Sequence, residues 1–144
     1  MAEKQITINA PAEKVFSYVA DLPRHSEWAK HPLKVEQTSS GPVGQGATFK
    51  SVGHEMGRDN EEAVTISEYQ PNERLVYESE GNAGHFRHWV QVQPGDGGVQ
   101  VAKGFEVVKA NFPFSLMMPM VMLFMVPGSL NGDLQRIKEK VEAT

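Results

Sequence analysis

Hydrophobic and polar positions change rhythm twice along this chain, and each change marks a new kind of element. In KQITINAP, Ile6 and Ile8 alternate with Thr7 and Asn9, as in a half-buried strand. Pro11 suits the first position of a helix, and Val15, Phe16 and Val19 then recur on one helical face. DLPRHSEWA reads as a second short helix, with Asp21 as its cap and Pro23 near its start. From Leu33 onward the period falls to two. LKVEQTS, ATFKSVG, EEAVTISEY, ERLVYESE, HFRHWVQVQ and GVQVAKGFEVVKA each alternate, separated by the turn clusters SGPVGQG, QPN and PGDGG. The expectation is an antiparallel sheet of seven strands, with two short helices after the first.

The last thirty residues return to a helical period. Leu130, Leu134, Ile137 and Val141 form one stripe, while Asp133, Arg136, Lys138, Glu139 and Lys140 are assigned to the other side. Upstream of that stripe, Ala110 to Gly132 carries no charge and holds five of the chain's seven methionines. A helix apolar all round needs a second apolar surface, so this half is expected to face either core or a ligand. A membrane span is the rival reading. The run falls just short of the roughly twenty residues a bilayer requires, and Pro113, Pro119 and Pro127 each remove a backbone donor that lipid cannot replace. No span is therefore expected, and Pro127-Gly128 is read as a kink or break.

Composition narrows the classes. A chain of 144 residues is one domain, 1–144, large enough to bury a core. Its net charge of -4, with no cluster of Lys and Arg, argues against a nucleic-acid partner. No cysteine is present, which removes disulfides, thiol catalysis and thiolate metal sites. MAEKQITINAP lacks the apolar core of a signal peptide, so a cytoplasmic location is expected.

The stretch INAPAEKVFSYVADLPRHSEWAKHPLKVEQTSSGPVGQGATFK resembles the N-terminal half of the START-like, Bet v 1-like (SRPBCC) superfamily, especially its bacterial polyketide cyclase/dehydrase-type members. The similarity continues through SEYQPNERLVYES, VQVQPGDGGVQVAKGFEV and DLQRIKEKVE, and so covers nearly the whole chain. It implies an α+β helix-grip fold, a seven-stranded antiparallel sheet wrapped round the long C-terminal helix with an apolar cavity between them. Members of that superfamily bind lipids, sterols, polyketides and other apolar molecules, and only some are enzymes.

Two residues depart from the resemblance. Aligned on the PGDGG hairpin, His88 stands where such proteins commonly carry Trp, and Lys103 where they commonly carry Glu. Strand alternation puts His88 with Phe86, Val90 and Val92, and Lys103 with Val99, Val101, Phe105 and Val107. Both therefore interrupt apolar faces. Either both enter the cavity, or Gly104 marks a bulge that turns Lys103 outward, or His88 is a core histidine with a backbone partner. Trp28 carries a similar choice between the cavity mouth and an anchor for the second short helix.

Other chemistry fails on spacing. HEMGR at His54 lacks the second histidine of a zinc-protease motif, His85 and His88 point to opposite faces of one strand, and His25 with His31 makes a poor metal pair. GPVGQG has its glycines in the wrong order for a dinucleotide loop, so neither a metal nor a cofactor is implied. The candidate cavity is expected between sheet and C-terminal helix, lined by Phe49, Tyr77, Phe86, His88, Lys103, Phe105 and the Met117 to Met122 segment, with Met117, Met118 and Met122 supplying adaptable thioethers. Three functions stay open on this reading: sequestration of an apolar or amphipathic small molecule; a cyclase or dehydratase with His88 as acid/base and Lys103 holding an oxyanion or enolate; and, from the resemblance, a toxin of a toxin–antitoxin pair. Oligomeric state is left open.

Overall fold

The computed structural model describes residues 2–29, 33–55 and 57–143. Seven strands form one antiparallel sheet: β1 (Ala2–Ile8), β2 (Leu33–Gln37), β3 (Thr48–Glu55), β4 (Arg58–Gln70), β5 (Arg74–Gly81), β6 (Gly84–Gly95) and β7 (Gly98–Ala110). Their order is β1-β7-β6-β5-β4-β3-β2, so every neighbour except β1–β7 is a neighbour in sequence. Short turns join β4 to β5, β5 to β6 and β6 to β7. Asn72, at φ 66, takes the left-handed conformation that Asn tolerates best among residues with a side chain, and this closes β4 onto β5. Register shifts at Ile66/Glu68 and His85/Phe86 add the local twist that curls a sheet.

Alternation places one face of every strand inside the curl. Phe49, Val64, Ile66, Leu75, Val90, Val92, Val99 and Val101 are buried there, against α1 (Ala12–Ala20) and α3 (Val126–Glu142). The stripe Leu130, Leu134, Ile137 and Val141 is buried as its period requires, and each such side chain contributes roughly 1.5–3 kcal/mol. Asp133 also lies on this stripe and is buried, contrary to its assignment to the polar side. Positions 130, 133, 134 and 137 share one helical face, which is why a carboxylate enters the core here.

The second short helix is a 3-10 helix, Leu22–Glu27, and the side chain of Asp21 makes no capping bond. Its hold comes from packing instead. Leu22 and His25 are buried, and the N–H of Trp28 bonds the His25 carbonyl at 3.2 Å.

Gly104 is not a bulge. It pairs in register with Trp89 on one side and Glu3 on the other. On the outer face of the sheet the Trp89 ring lies across Gly104, and its indole N–H donates to Glu3 Oε2 at 2.7 Å. A Cβ on residue 104 would sit 1.9 Å from the ring carbon Cε2. Gly104→Ala must displace the indole and break its bond to Glu3, so a loss of about 2–3 kcal/mol in urea unfolding is expected. A change below about 0.5 kcal/mol would show that the ring is free to move.

The C-terminal helix is continuous. Phe114–Met120 (α2), a π-helical turn at Val121–Met125 and α3 follow without a break, so Pro127-Gly128 does not interrupt it. The wider π turn lies immediately ahead of Pro127, where a proline removes the regular i to i−4 bond and crowds the preceding turn. The helix Phe114–Glu142 is 29 residues long with a window of mean hydropathy 1.5, enough by length and composition to cross a membrane. Its two halves differ. α3 packs on β1, β7 and α1, whereas α2 touches β7 lightly, and Leu116 of α2 with Leu123 and Phe124 of the π turn are 68–73% exposed. Of the two surfaces expected for the uncharged half, core or ligand, the core of the described residues does not cover it.

Candidate functional site

A cavity of about 190 Å³ opens on the concave face of the sheet, between β2–β7, the 3-10 helix and α3. Its apolar side is Leu22, Trp28, Leu33, Val35 and Val64. Its polar side is His25, Ser51, Glu62, Tyr77, Ser79, His88, Lys103 and Asp133. Each strand residue is delivered by parity: Tyr77 and Ser79 share a face of β5, Glu62 and Val64 a face of β4, and Tyr77 pairs His88 across to β6.

Lys103 enters this cavity with its side chain only 5% exposed. Its Nζ lies 3.6 Å from Asp133 Oδ2, beyond a good hydrogen bond, and 5.5 Å from the centre of the Trp28 ring. Burial pushes the ammonium's pKa down, and the Asp133 carboxylate opposes that without cancelling it. Asp133 is shared. Its Oδ1 accepts from Arg136 Nη2 at 2.7 Å, and Arg136 Nε donates to the Trp28 carbonyl, so one carboxylate links sheet, helix and 3-10 turn.

Both histidines are neutral bases, His25 buried and His88 half-buried. His88 stacks on Tyr77 with ring centres 4.8 Å apart, and its Nε2 lies 3.2 Å from Ser79 Oγ. Burial, then the charge on Lys103, lowers its pKa to about 3. His25 donates from Nε2 to the Val19 carbonyl at 2.8 Å, which assigns the proton to that nitrogen. Burial lowers its pKa to about 4. Burial likewise raises the Tyr77 phenol, so it stays protonated at neutral pH. One donor has no partner. The indole Nε1 of Trp28 is buried and, unlike that of Trp89, bonds to nothing among the described residues.

Of the residues expected from the sequence, Tyr77, His88 and Lys103 line this cavity. Phe49 lies in the core at 2% exposure, and Phe86 stacks on Phe105 at 5.6 Å beside His88, outside the lining. Met117 is 54% exposed, Met118 and Met122 are half-buried, and none of them reaches this cavity. The void is therefore roofed by the 3-10 helix and Asp133 rather than by the methionine segment. His85 lies on the opposite face from His88 and bonds Glu78 at 2.7 Å, while His54 pairs with Asp59 at 3.0 Å near the sheet edge. His31 falls outside the described residues. Among the described residues no three His, Asp or Glu side chains converge as a metal set.

The family model for polyketide cyclase/dehydrase and lipid-transport proteins matches residues 2–142. The chain belongs to that family, within the SRPBCC or helix-grip superfamily. No curated protein matches it. Among solved structures, TTHA0849 from Thermus thermophilus is similar at 19% identity and TM-score 0.73, over 99% of this chain and 97% of that one. Ara h 8.0201 is similar at 17% identity and TM-score 0.67, over 99% and 97%. The di-domain ARO/CYC StfQ from the steffimycin biosynthetic pathway is similar at 12% identity and TM-score 0.78, over 99% of this chain and 50% of that one. At these identities the likeness concerns the fold, and the fold carries a cavity suited to hydrophobic ligands.

Proposed function

We propose that this protein binds a compact amphipathic small molecule, with a ring or branched apolar body and one carbonyl or carboxylate end. The observation that carries this reading is a cavity of about 190 Å³ lined by a buried ammonium and by Trp28, whose indole N–H has no partner among the described residues. Size restricts the ligand class. An apolar cavity of roughly 150 Å³ accepts benzene, so this one has room for a substituted ring, whereas a long acyl chain or a fused polycycle would have to extend out of its open side. Polarity restricts it further, since a buried donor without an acceptor costs about 1–3 kcal/mol that a ligand oxygen recovers.

The apolar body would rest on Leu22, Trp28, Leu33 and Val64, with the oxygen directed at Trp28 Nε1 and Lys103 Nζ. Calorimetric titration with phenylacetate, benzyl alcohol and decanoate tests this. Phenylacetate is expected to bind best, and Lys103→Met to weaken it about tenfold or more through loss of a charge-assisted bond, with benzyl alcohol little changed. Preference for decanoate, or equal phenylacetate binding by both proteins, would overturn the reading.

A further inference from the structure

We propose that Lys103 is a carbonyl-capturing amine: a small aldehyde or ketone that enters the cavity condenses with its Nζ to a reversible iminium. This rests on the reading that the cavity takes a compact molecule with a carbonyl end, and adds a covalent step to it. Four features place the chemistry there. Lys103 is 5% exposed, against 75% for Lys34 and 49% for Lys50, so water does not hold its ammonium form as it holds theirs. Its ion-pair partner among the described residues, Asp133, stands 3.6 Å away and is engaged by Arg136 through its other oxygen, which leaves the ammonium weakly held. Trp28, whose indole N–H has no partner among the described residues, lines the same space. The space itself has room for the carbonyl compound.

The step balances without an oxidant or reductant. Lys103 first gives a proton to Asp133, and the free Nζ pair bonds to the carbonyl carbon while the C=O π pair moves to oxygen, where the Trp28 N–H stabilises it. A proton passes from nitrogen to that oxygen to give the carbinolamine. Asp133 then returns its proton to the hydroxyl, the C–O bond breaks, water leaves, and the nitrogen pair closes the C=N⁺ bond. The groups facing Lys103 are Asp133 from α3, His88 from β6, His25 from the 3-10 helix, Tyr77 from β5 and Glu62 from β4. With both histidines uncharged and Tyr77 protonated, neither ring adds a second cation that would compete for Asp133 from the cavity side. Each unit by which burial lowers the amine's pKa raises its free-base fraction about tenfold at neutral pH.

The test uses the wild-type protein at pH 7 with benzaldehyde as probe and cyanoborohydride to fix any iminium, followed by peptide mapping of each lysine. Lys103 is expected to acquire one benzyl group at least about tenfold faster than Lys34 or Lys50. Excess benzyl alcohol, which fits the same space and cannot condense, is expected to slow labelling of Lys103 alone. Labelling of Lys103 no faster than Lys34 and Lys50, or none, overturns the proposal. If benzyl alcohol binds at the cavity while Lys103 stays unlabelled, the covalent step falls and the binding function stands. If it neither binds nor is followed by labelling, both fall.

Discussion

Asp133→Asn is expected to destabilise the protein by about 3 kcal/mol in urea unfolding at pH 7, while Lys103→Met leaves stability unchanged or raises it by about 1 kcal/mol. The asymmetry follows from who else each partner has. Asp133 is bonded by Arg136 at 2.7 Å, so it keeps a cation when Lys103 is removed. For Lys103, Asp133 is the carboxylate that forms its ion pair among the described residues, so removing that charge strands a buried ammonium. The amine can shed its proton, which limits the cost rather than abolishing it. Lys103→Met replaces a desolvated charge by an apolar chain of similar length, and exchanges of that kind are often neutral or favourable. If both variants lose the same stability, the pair acts as a structural unit and Lys103 is not held at a cost.

Acidification has the second large effect. His25 is buried and His88 half-buried, both as neutral rings, with pKa values lowered from 6.5 to about 4 and about 3. Below pH 6.5 the unfolded chain takes up protons at both that the folded chain refuses. Stability is therefore full above the unfolded pKa and falls as pH drops toward the folded values. Each histidine removes roughly 1.4 kcal/mol per pH unit in that window. At about pH 5 the two together cost about 4 kcal/mol, a large part of the roughly 5–15 kcal/mol typical of a domain. Urea unfolding at pH 7 and pH 5 measures the loss, and His88→Gln is expected to remove about half of it. A curve flat between those values would mean that both rings are hydrated and titrate normally.

Much of this architecture was legible in the chain, for a reason that also explains the failures. Period-two runs broken by QPN and PGDGG specify strands and hairpins locally, and those seven strands form as read. The faces of His88 and Lys103 follow from parity alone. What parity cannot supply is the cover over the sheet. One side of the cavity is built by His25 of the 3-10 helix, by Trp28 just after it and by Asp133, none of which is near Lys103 in sequence. Asp133 had a signal, its place on the stripe with Leu130, Leu134 and Ile137, and the charge of the residue masked it. Ser51, Ser79 and Glu62 had one too, since each shares inward parity with Phe49, Tyr77 and Val64. The methionine segment shows the converse limit. Apolarity all round tells that a helix prefers a dry neighbour, not that its own chain provides one, and α2 stands exposed.

The chain has two tryptophans, and their indole N–H groups sit in opposite circumstances. That of Trp89 is bound to Glu3 on the outer face, and that of Trp28 is unpartnered at the cavity among the described residues. A nitrogen-15 correlation spectrum therefore contains the binding site and its internal control in one region. On titration with phenylacetate, the Trp28 indole signal is expected to shift downfield as its N–H gains an acceptor, with the Trp89 signal fixed. Saturation with both signals unmoved, or a shift of Trp89 alone, would contradict the assignment of this cavity as the binding site.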